Sequence, residues 1–187
     1  MLDWERIEPT RVTKVGWRTI TTKTFRLPDG AEGPFDVVYP DGQEFANVIA
    51  ITADNEVVIA RQFRPGPEKI MDELPGGYVD EGETPQEAVE RELLEETGYK
   101  AGAIEYLGAF HKDTYMNAMW HAFLATNCQK ASEPEAEAHE HIELATISIE
   151  QLLYNATHDK ITDHASVIMA YEKLKQLQKE GHNETTN

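Results

Sequence analysis

The chain has 187 residues, 40% of them apolar, enough to bury a core and fold as one domain with at most a small appendage. Seventeen basic residues against thirty-four acidic give a net charge of −17, which argues against electrostatic binding to nucleic acid or to anionic membranes. The single cysteine, Cys128, excludes an intrachain disulfide and has no zinc-site partner motif, and no apolar run approaches the roughly 18 residues of a membrane span. The opening MLDWERIEPT lacks the basic and apolar regions of a secretory signal, so a cytoplasmic enzyme is the expectation.

In chain order, residues 18–27 (RTITTKTFRL) alternate and are rich in β-branched side chains, which predicts a strand closed by the LPDG turn. PFDVVY (34–39) predicts a second strand ended by PDG. Residues 1–44 hold too few apolar side chains for a core of their own, so they are expected to form an extension that leans on the rest of the chain or on a second copy, making a homodimer. FANVIAIT (45–52) and EVVIARQF (56–63) predict a hairpin, followed by the breaker-rich RPGPEK and the short run MDELPGGYV. Further strands are expected at 103–110, 119–126 and 142–148, a polar surface loop at 129–141, and a closing helix at 163–178. That helix carries an apolar stripe of Val167, Ala170, Tyr171, Leu174 and Leu177 before a fraying GHNETTN end. There is no internal repeat, and no linker long enough to separate two independent domains. The order of elements fits an α/β chain with a mixed sheet between helices.

Residues 77–99, GYVDEGETPQEAVERELLEETGY, hold the chemistry. Read as a helix over 84–97, they place Glu92, Glu95 and Glu96 on one face. Three carboxylates so close repel unless a cation neutralises them, and all-oxygen donors suit a hard divalent ion, magnesium first. An acidic surface helix would explain the charges, but not Gly77 and Gly98 at its two ends.

The stretch fits G-x5-E-x7-R-E-U-x-E-E-x-G-U, where U is apolar, through Gly77, Glu83, Arg91, Glu92, Leu93, Glu95, Glu96 and Gly98, with Tyr99 at the last apolar position. In this it resembles the signature of the Nudix hydrolases. The run Arg61-Gln62-Phe63-Arg64 followed by ELPGG is similar to the branch acting on ADP-ribose and nucleoside diphosphate sugars, and the resemblance covers about residues 15–177. It implies an α/β/α sandwich over 45–187 after a small antiparallel β extension that dimerises. It also implies magnesium-dependent hydrolysis of a nucleotide sugar to a nucleoside monophosphate and a sugar phosphate, with manganese as a possible substitute.

Carried onto this chain, the resemblance makes Glu92, Glu95 and Glu96 metal ligands, with the Gly76 carbonyl completing a site. Arg64 contacts substrate phosphate, chemistry suited to a bidentate guanidinium, and Glu73 reaches the same cleft unless it faces outward from a short strand. The general base falls on Glu140, with a box glutamate second and Glu137, His141 and Glu143 as neighbours. The catalytic set is Glu140, Glu95 and Arg91, the last placed four residues before Glu95 to pair with it and orient it. Gly77, Glu83 and Gly98 are structural.

Trp17, Phe25, Phe35 and Tyr39 are candidates to sandwich the base, Trp17 and Phe35 first, or equally to pack in a hairpin interface. His111, His121, His158 and His164 show no metal spacing. The branch's proline some sixteen residues beyond the box is replaced here by HKDTYMNAMW, with Asp113 or Tyr115 in its place, so the expectation is a nucleoside diphosphate sugar without a named sugar. A tyrosine there is similar to the dinucleoside polyphosphate branch, which the extension and ELPGG fit poorly. Dinucleoside polyphosphate or nucleoside triphosphate house-cleaning, and a non-catalytic module sensing a nucleotide sugar, are the alternatives.

Overall fold

A computed structural model describes residues 4–135 and 141–184 and divides into two compact units. Unit 1 comprises Met1–Glu44 and Phe110–Trp120; unit 2 comprises Phe45–Ala109 and His121–Asn187.

In unit 1, β1 (Glu5–Val15) and β2 (Arg18–Arg26) form an antiparallel hairpin. Its loop is Gly16-Trp17, and Gly16 supplies the positive φ (61°) that a two-residue hairpin turn demands. β2 then pairs with the first part of β3 (Glu32–Thr52), Ile20 opposite Val38 and Arg26 opposite Glu32. The sequence predicts a strand end at PDG, whereas β3 runs on through Pro40, Asp41 and Gly42. Positive φ at Tyr39 (77°) and Gly42 (80°) absorbs the irregularity. β1 was not expected, because its charged and apolar residues show no clean alternation and it is mostly exposed. Pairing with β2 is what defines it.

This unit is held by two polar and aromatic clusters. The rings of Trp4, Phe25 and Phe35 stand 5.3 to 6.2 Å apart, centroid to centroid. Asp41 accepts bonds from Arg6 (2.8 Å) and Asn117 (2.8 Å) and pairs with Lys23 (2.9 Å). The Arg6 bond, followed by those of Lys23 and Asn117, holds the Asp41 carboxyl well below the usual carboxylate range.

In unit 2, β3 pairs with β4 (Glu56–Arg64) and with β6 (Gly76–Tyr78), and β4 also pairs with β5 (Lys69–Glu73). After α1 (Pro85–Thr97) come β7 (Tyr99–Lys100), β8 (Ala103–Phe110) and β9 (Met116–Lys130), with β9 pairing β7 and β8. β10 (Glu143–Ser148) returns to the open edge of β4, followed by α2 (Ile149–Thr157), α3 (His164–Met169) and α4 (Tyr171–Glu184). An isolated parallel bridge joins Asp72 of β5 to Ile161, in the segment between α2 and α3.

Strand alternation sorts the core into two layers. Ile49, Ile51, Val57 and Ile59 pack with Leu152, Val167, Ala170 and Leu174 of α2, α3, α4 and their junction. Val48, Ala50 and Val58 point the other way, onto Ala88, Val89 and Leu93 of α1. The sheet is therefore buried on both faces, which explains its near-continuous apolar runs.

Two expectations change here. The closing helix is divided at Ala170 and continues to Glu184, and Tyr171 leaves the apolar stripe, 48% exposed. α2 was missed, although Ser148 caps it by accepting the Gln151 amide (3.0 Å), an S-x-x-Q signal present in the sequence. Among the described residues no helix is long and apolar enough to cross a membrane.

Cys128 of β9 is buried in the layer beneath α1, and burial pushes its thiol up to about 11. At pH 8 iodoacetamide is therefore expected to label the native protein far more slowly than the urea-unfolded chain; equal rates would contradict this packing.

Candidate active site

The site is built on α1, and the local sequence dictates both ends of that helix. Thr84 caps it by accepting the Glu87 amide (3.2 Å) while Glu87 accepts the Thr84 amide (2.8 Å), and Pro85 follows at the first helical position. Gly98 ends it with φ 72° and an amide bond to Leu94 O (2.8 Å). A Cβ on Gly98 would also lie 2.1 Å from Ser132 O, so no other residue fits.

Burial of Ala88, Val89, Leu93 and Thr97 against the sheet fixes the helix rotation, and this places the three acidic side chains at the rim. Glu96 is 8% exposed, its carboxylate accepting the Gly76 amide at 2.9 Å. Glu92 lies against Gly77, where a Cβ would come within 2.3 Å of its Oε1. Glu95 is the more exposed of the three.

Arg91 binds this group together. It forms a forked pair with Glu83 (3.0 and 3.1 Å), donates to Tyr78 O (3.1 Å), and through Nη1 reaches Glu92 (2.9 Å) and Glu95 (3.2 Å). Glu83 in turn accepts the Asp80 amide (3.1 Å), which closes the loop before the helix. The Arg91 bonds hold the Glu83 carboxyl below its ordinary range, and the Glu83 bond, with those to Glu92 and Glu95, holds Arg91 firmly protonated.

Arg64 ends β4 opposite Lys69 and Glu73 ends β5 opposite Ala60, both on one face of the hairpin, and the Arg64 side chain reaches back along that face to form a bidentate pair, Nε to Oε1 and Nη2 to Oε2. Gln62 adds a bond to Glu73 Oε2 (3.2 Å). Glu73 is buried, which corrects the outward-facing alternative. Its bond raises Arg64 above the ordinary guanidinium value, with the charges of Asp163 and Glu96 contributing at longer range. Arg64 thus lies within the field of Glu96.

Glu92, Glu95, Glu96 and the Gly76 carbonyl are all hard oxygen donors and fit a hard divalent cation. As placed, no three His, Cys, Asp or Glu side chains among the described residues form a ready metal-holding group, and Arg91 donates to both Glu92 and Glu95. Each carboxylate bonds Arg91 through one oxygen, and a carboxylate offers about four lone-pair sites, so acceptor capacity remains. The absence of a side chain at Gly77 is what lets Glu92 lie there. Gly77→Ala is expected to push the Glu92 carboxylate aside, lowering turnover about tenfold or more while the melting temperature moves little. Kinetics and a thermal melt check this, and unchanged turnover would contradict it.

The other sequence candidates fall elsewhere. Trp17 sits at the β1–β2 turn, 74% exposed with the Arg18 guanidinium 4.5 Å from its ring centroid, and Phe35 belongs to the aromatic cluster of unit 1. Glu140 and Glu137 lie outside the described residues. His141 is exposed, and Glu143 opens β10 at 3.7 Å from Arg61 Nη1. Asn47 and Asp163, both buried beside the ELPGG segment, went unremarked in the sequence; Asp163 carried one signal, an aspartate just before a helix.

The NUDIX domain model matches residues 43–170, and the chain belongs to the Nudix family: it is a Nudix hydrolase. The chain is 30% identical over 144 residues to a "Methanol dehydrogenase activator" of Bacillus methanolicus, covering 76% of this chain and 77% of that one. It is 30% identical over 129 residues to an "ADP-ribose pyrophosphatase" of Bacillus subtilis (strain 168), covering 68% and 69%. In fold it is similar to a solved structure described as an ADP compounds hydrolase, with TM-score 0.72, 18% identity and 94% and 93% of the two chains covered.

Proposed function

We propose that this chain is a magnesium-dependent pyrophosphohydrolase that cleaves the diphosphate of a nucleoside diphosphate sugar, ADP-ribose-like, to a nucleoside monophosphate and a sugar phosphate. The observation that carries this reading is that the ELPGG segment joins Arg64, paired with Glu73, to Glu96 of α1, whose carboxylate accepts the Gly76 amide at 2.9 Å. The likeness to proteins named ADP-ribose pyrophosphatase, and to a mouse "ADP-sugar pyrophosphatase" (33% identity over 103 residues, 54% of this chain and 45% of that one), supports the substrate class.

A divalent cation held by Glu92, Glu95, Glu96 and the Gly76 carbonyl, with manganese an acceptable substitute, supplies charge neutralisation at the phosphate oxygens and a more acidic water. The rest falls to the chain itself. Arg64, oriented by Glu73 through Nε and Nη2, presents the rest of its guanidinium to a substrate phosphate. Arg91 and Glu83 fix the carboxylate face so that little reorganises during reaction. Glu140 takes the proton of the attacking water, with a box glutamate as the second choice. Residues 1–44 serve as a dimerisation extension whose aromatics Trp17 and Phe35 receive the base, and the enzyme acts in the cytoplasm.

The test is a panel of ADP-ribose, other ADP-, GDP- and UDP-sugars, dinucleoside polyphosphates and nucleoside triphosphates, with products resolved by chromatography. Fastest cleavage of a nucleotide sugar supports the reading, and preference for either of the other classes would overturn it. The likeness to the methanol dehydrogenase activator carries a second reading, activation of a dehydrogenase, testable by adding this protein to such an enzyme in a coupled assay.

A further inference from the structure

Asp163 stands immediately before α3, where an aspartate ordinarily accepts the first helical amides, and its side chain makes no such cap bond. The carboxylate is turned instead onto a distant segment. Oδ2 accepts the Leu74 amide (3.1 Å) and the Thr162 hydroxyl (3.0 Å), and Oδ1 accepts Asn47 Nδ2 (3.2 Å). Asn47 Oδ1 accepts the Ser166 hydroxyl (2.8 Å), and the Asn47 backbone stands opposite Gly76 in the β3–β6 ladder.

The surrounding backbone reinforces this attachment. The Asp72 amide donates to Lys160 O (3.0 Å), the Thr162 amide to Asp72 O (3.2 Å), and the Val48 amide to Pro75 O (3.0 Å). Segment 73–76 is thereby gripped from both sides, and each of its ends touches a functional group. Glu73 pairs with Arg64, and the Gly76 amide binds Glu96. Leu74, between them, gives its buried amide to Asp163.

We propose that Asp163 is a positioning residue that clamps segment 73–76, setting at once the carboxylate that orients Arg64 and the backbone that holds Glu96. Its catalytic consequence rests on the hydrolase reading above. An amide as buried as that of Leu74 finds no water when its acceptor is removed, so the segment must shift to satisfy it. That shift moves both ends of the site together.

The experiment compares Asp163→Ala, Asp163→Asn and Ser166→Ala by hydrogen exchange of the metal-free protein and by turnover well below the melting temperature. In Asp163→Ala, Leu74 is expected to lose exchange protection while Ala50 and Val58 of the β3–β4 ladder keep theirs, and kcat falls about 10- to 100-fold, the range for groups that orient metal ligands. Asp163→Asn retains an oxygen for the Leu74 amide and is expected to recover most of both. Ser166→Ala leaves that acceptor in place and is expected to change neither much.

Unchanged Leu74 protection or unchanged turnover in Asp163→Ala would overturn the proposal. So would an asparagine variant that protects Leu74 yet turns over as poorly as alanine, since charge rather than the clamp would then matter. Should the alanine variant not fold, Asp163→Glu, which displaces the carboxylate by one methylene, takes its place with the same two readouts. A wild-type protein inert on the whole substrate panel would sink the hydrolase reading instead, and the exchange result alone would then decide the clamp.

Discussion

Glu96→Gln is expected to lower turnover on the order of 100-fold or more while leaving the melting temperature nearly unchanged. The substitution keeps the shape of the side chain and an oxygen able to accept the Gly76 amide, which Glu96 now accepts at 2.9 Å, so the loop stays attached. What disappears is a full negative charge on the face proposed to hold the cation. Groups one layer out from a metal cost about 10- to 100-fold when altered, and an anionic ligand should cost at least as much. Steady-state kinetics beside a thermal melt separates the two effects. Near-normal turnover would remove Glu96 from the site, whereas a collapsed melting temperature would make it a structural carboxylate.

Arg91→Ala is expected to have the second largest effect, and it acts on stability and turnover together. Arg91 is 30% exposed and bonds Glu83, Glu92, Glu95 and the Tyr78 carbonyl. Its removal leaves three carboxylates facing one another without their cation, a loss of about 1–3 kcal/mol for charge-assisted bonds of this kind. Because Arg91 holds the Glu83 carboxyl below its ordinary value, this part of the stability is fully present above the unfolded pKa of Glu83 and is lost as pH falls through the folded one. The gap in melting temperature between wild type and variant should therefore be widest near neutral pH and narrow in acid. Added magnesium should raise the variant's melting temperature more than the wild type's, since the ion then replaces a missing positive charge. Arg91→Lys should rescue only in part, because a point charge cannot reproduce the fork onto Glu83. A gap independent of pH and magnesium would contradict this role.

The parts of the molecule legible in sequence are those fixed by local chemistry. Thr84, Pro85, Glu87 and Gly98 each carry their own reason to start or stop a helix, so α1 could be delimited almost to the residue. The paired strands 45–52 and 56–63 were equally visible, because burial on both faces writes a continuous apolar run. The parts that were hidden depend on partners distant in sequence. β1 has no apolar signature and exists by pairing with β2. The Arg64–Glu73 pair follows from the β4–β5 register, which sets Arg64 opposite Lys69 and Glu73 opposite Ala60 on one face of the hairpin, so that the long Arg64 side chain reaches back along that face. Asp163 is hidden most deeply, since its position promises a helix cap while its side chain serves Leu74, 89 positions away.

Whether the glutamate face of α1 uses a divalent ion to break a pyrophosphate bond is decided by one titration. Initial rates on the panel's preferred nucleotide sugar are measured against magnesium concentration, with the products resolved. No cleavage in chelator, saturable activation by magnesium, and equimolar nucleoside monophosphate and sugar phosphate are expected. Cleavage that persists in chelator, or products from any bond other than the pyrophosphate, would contradict this chemistry.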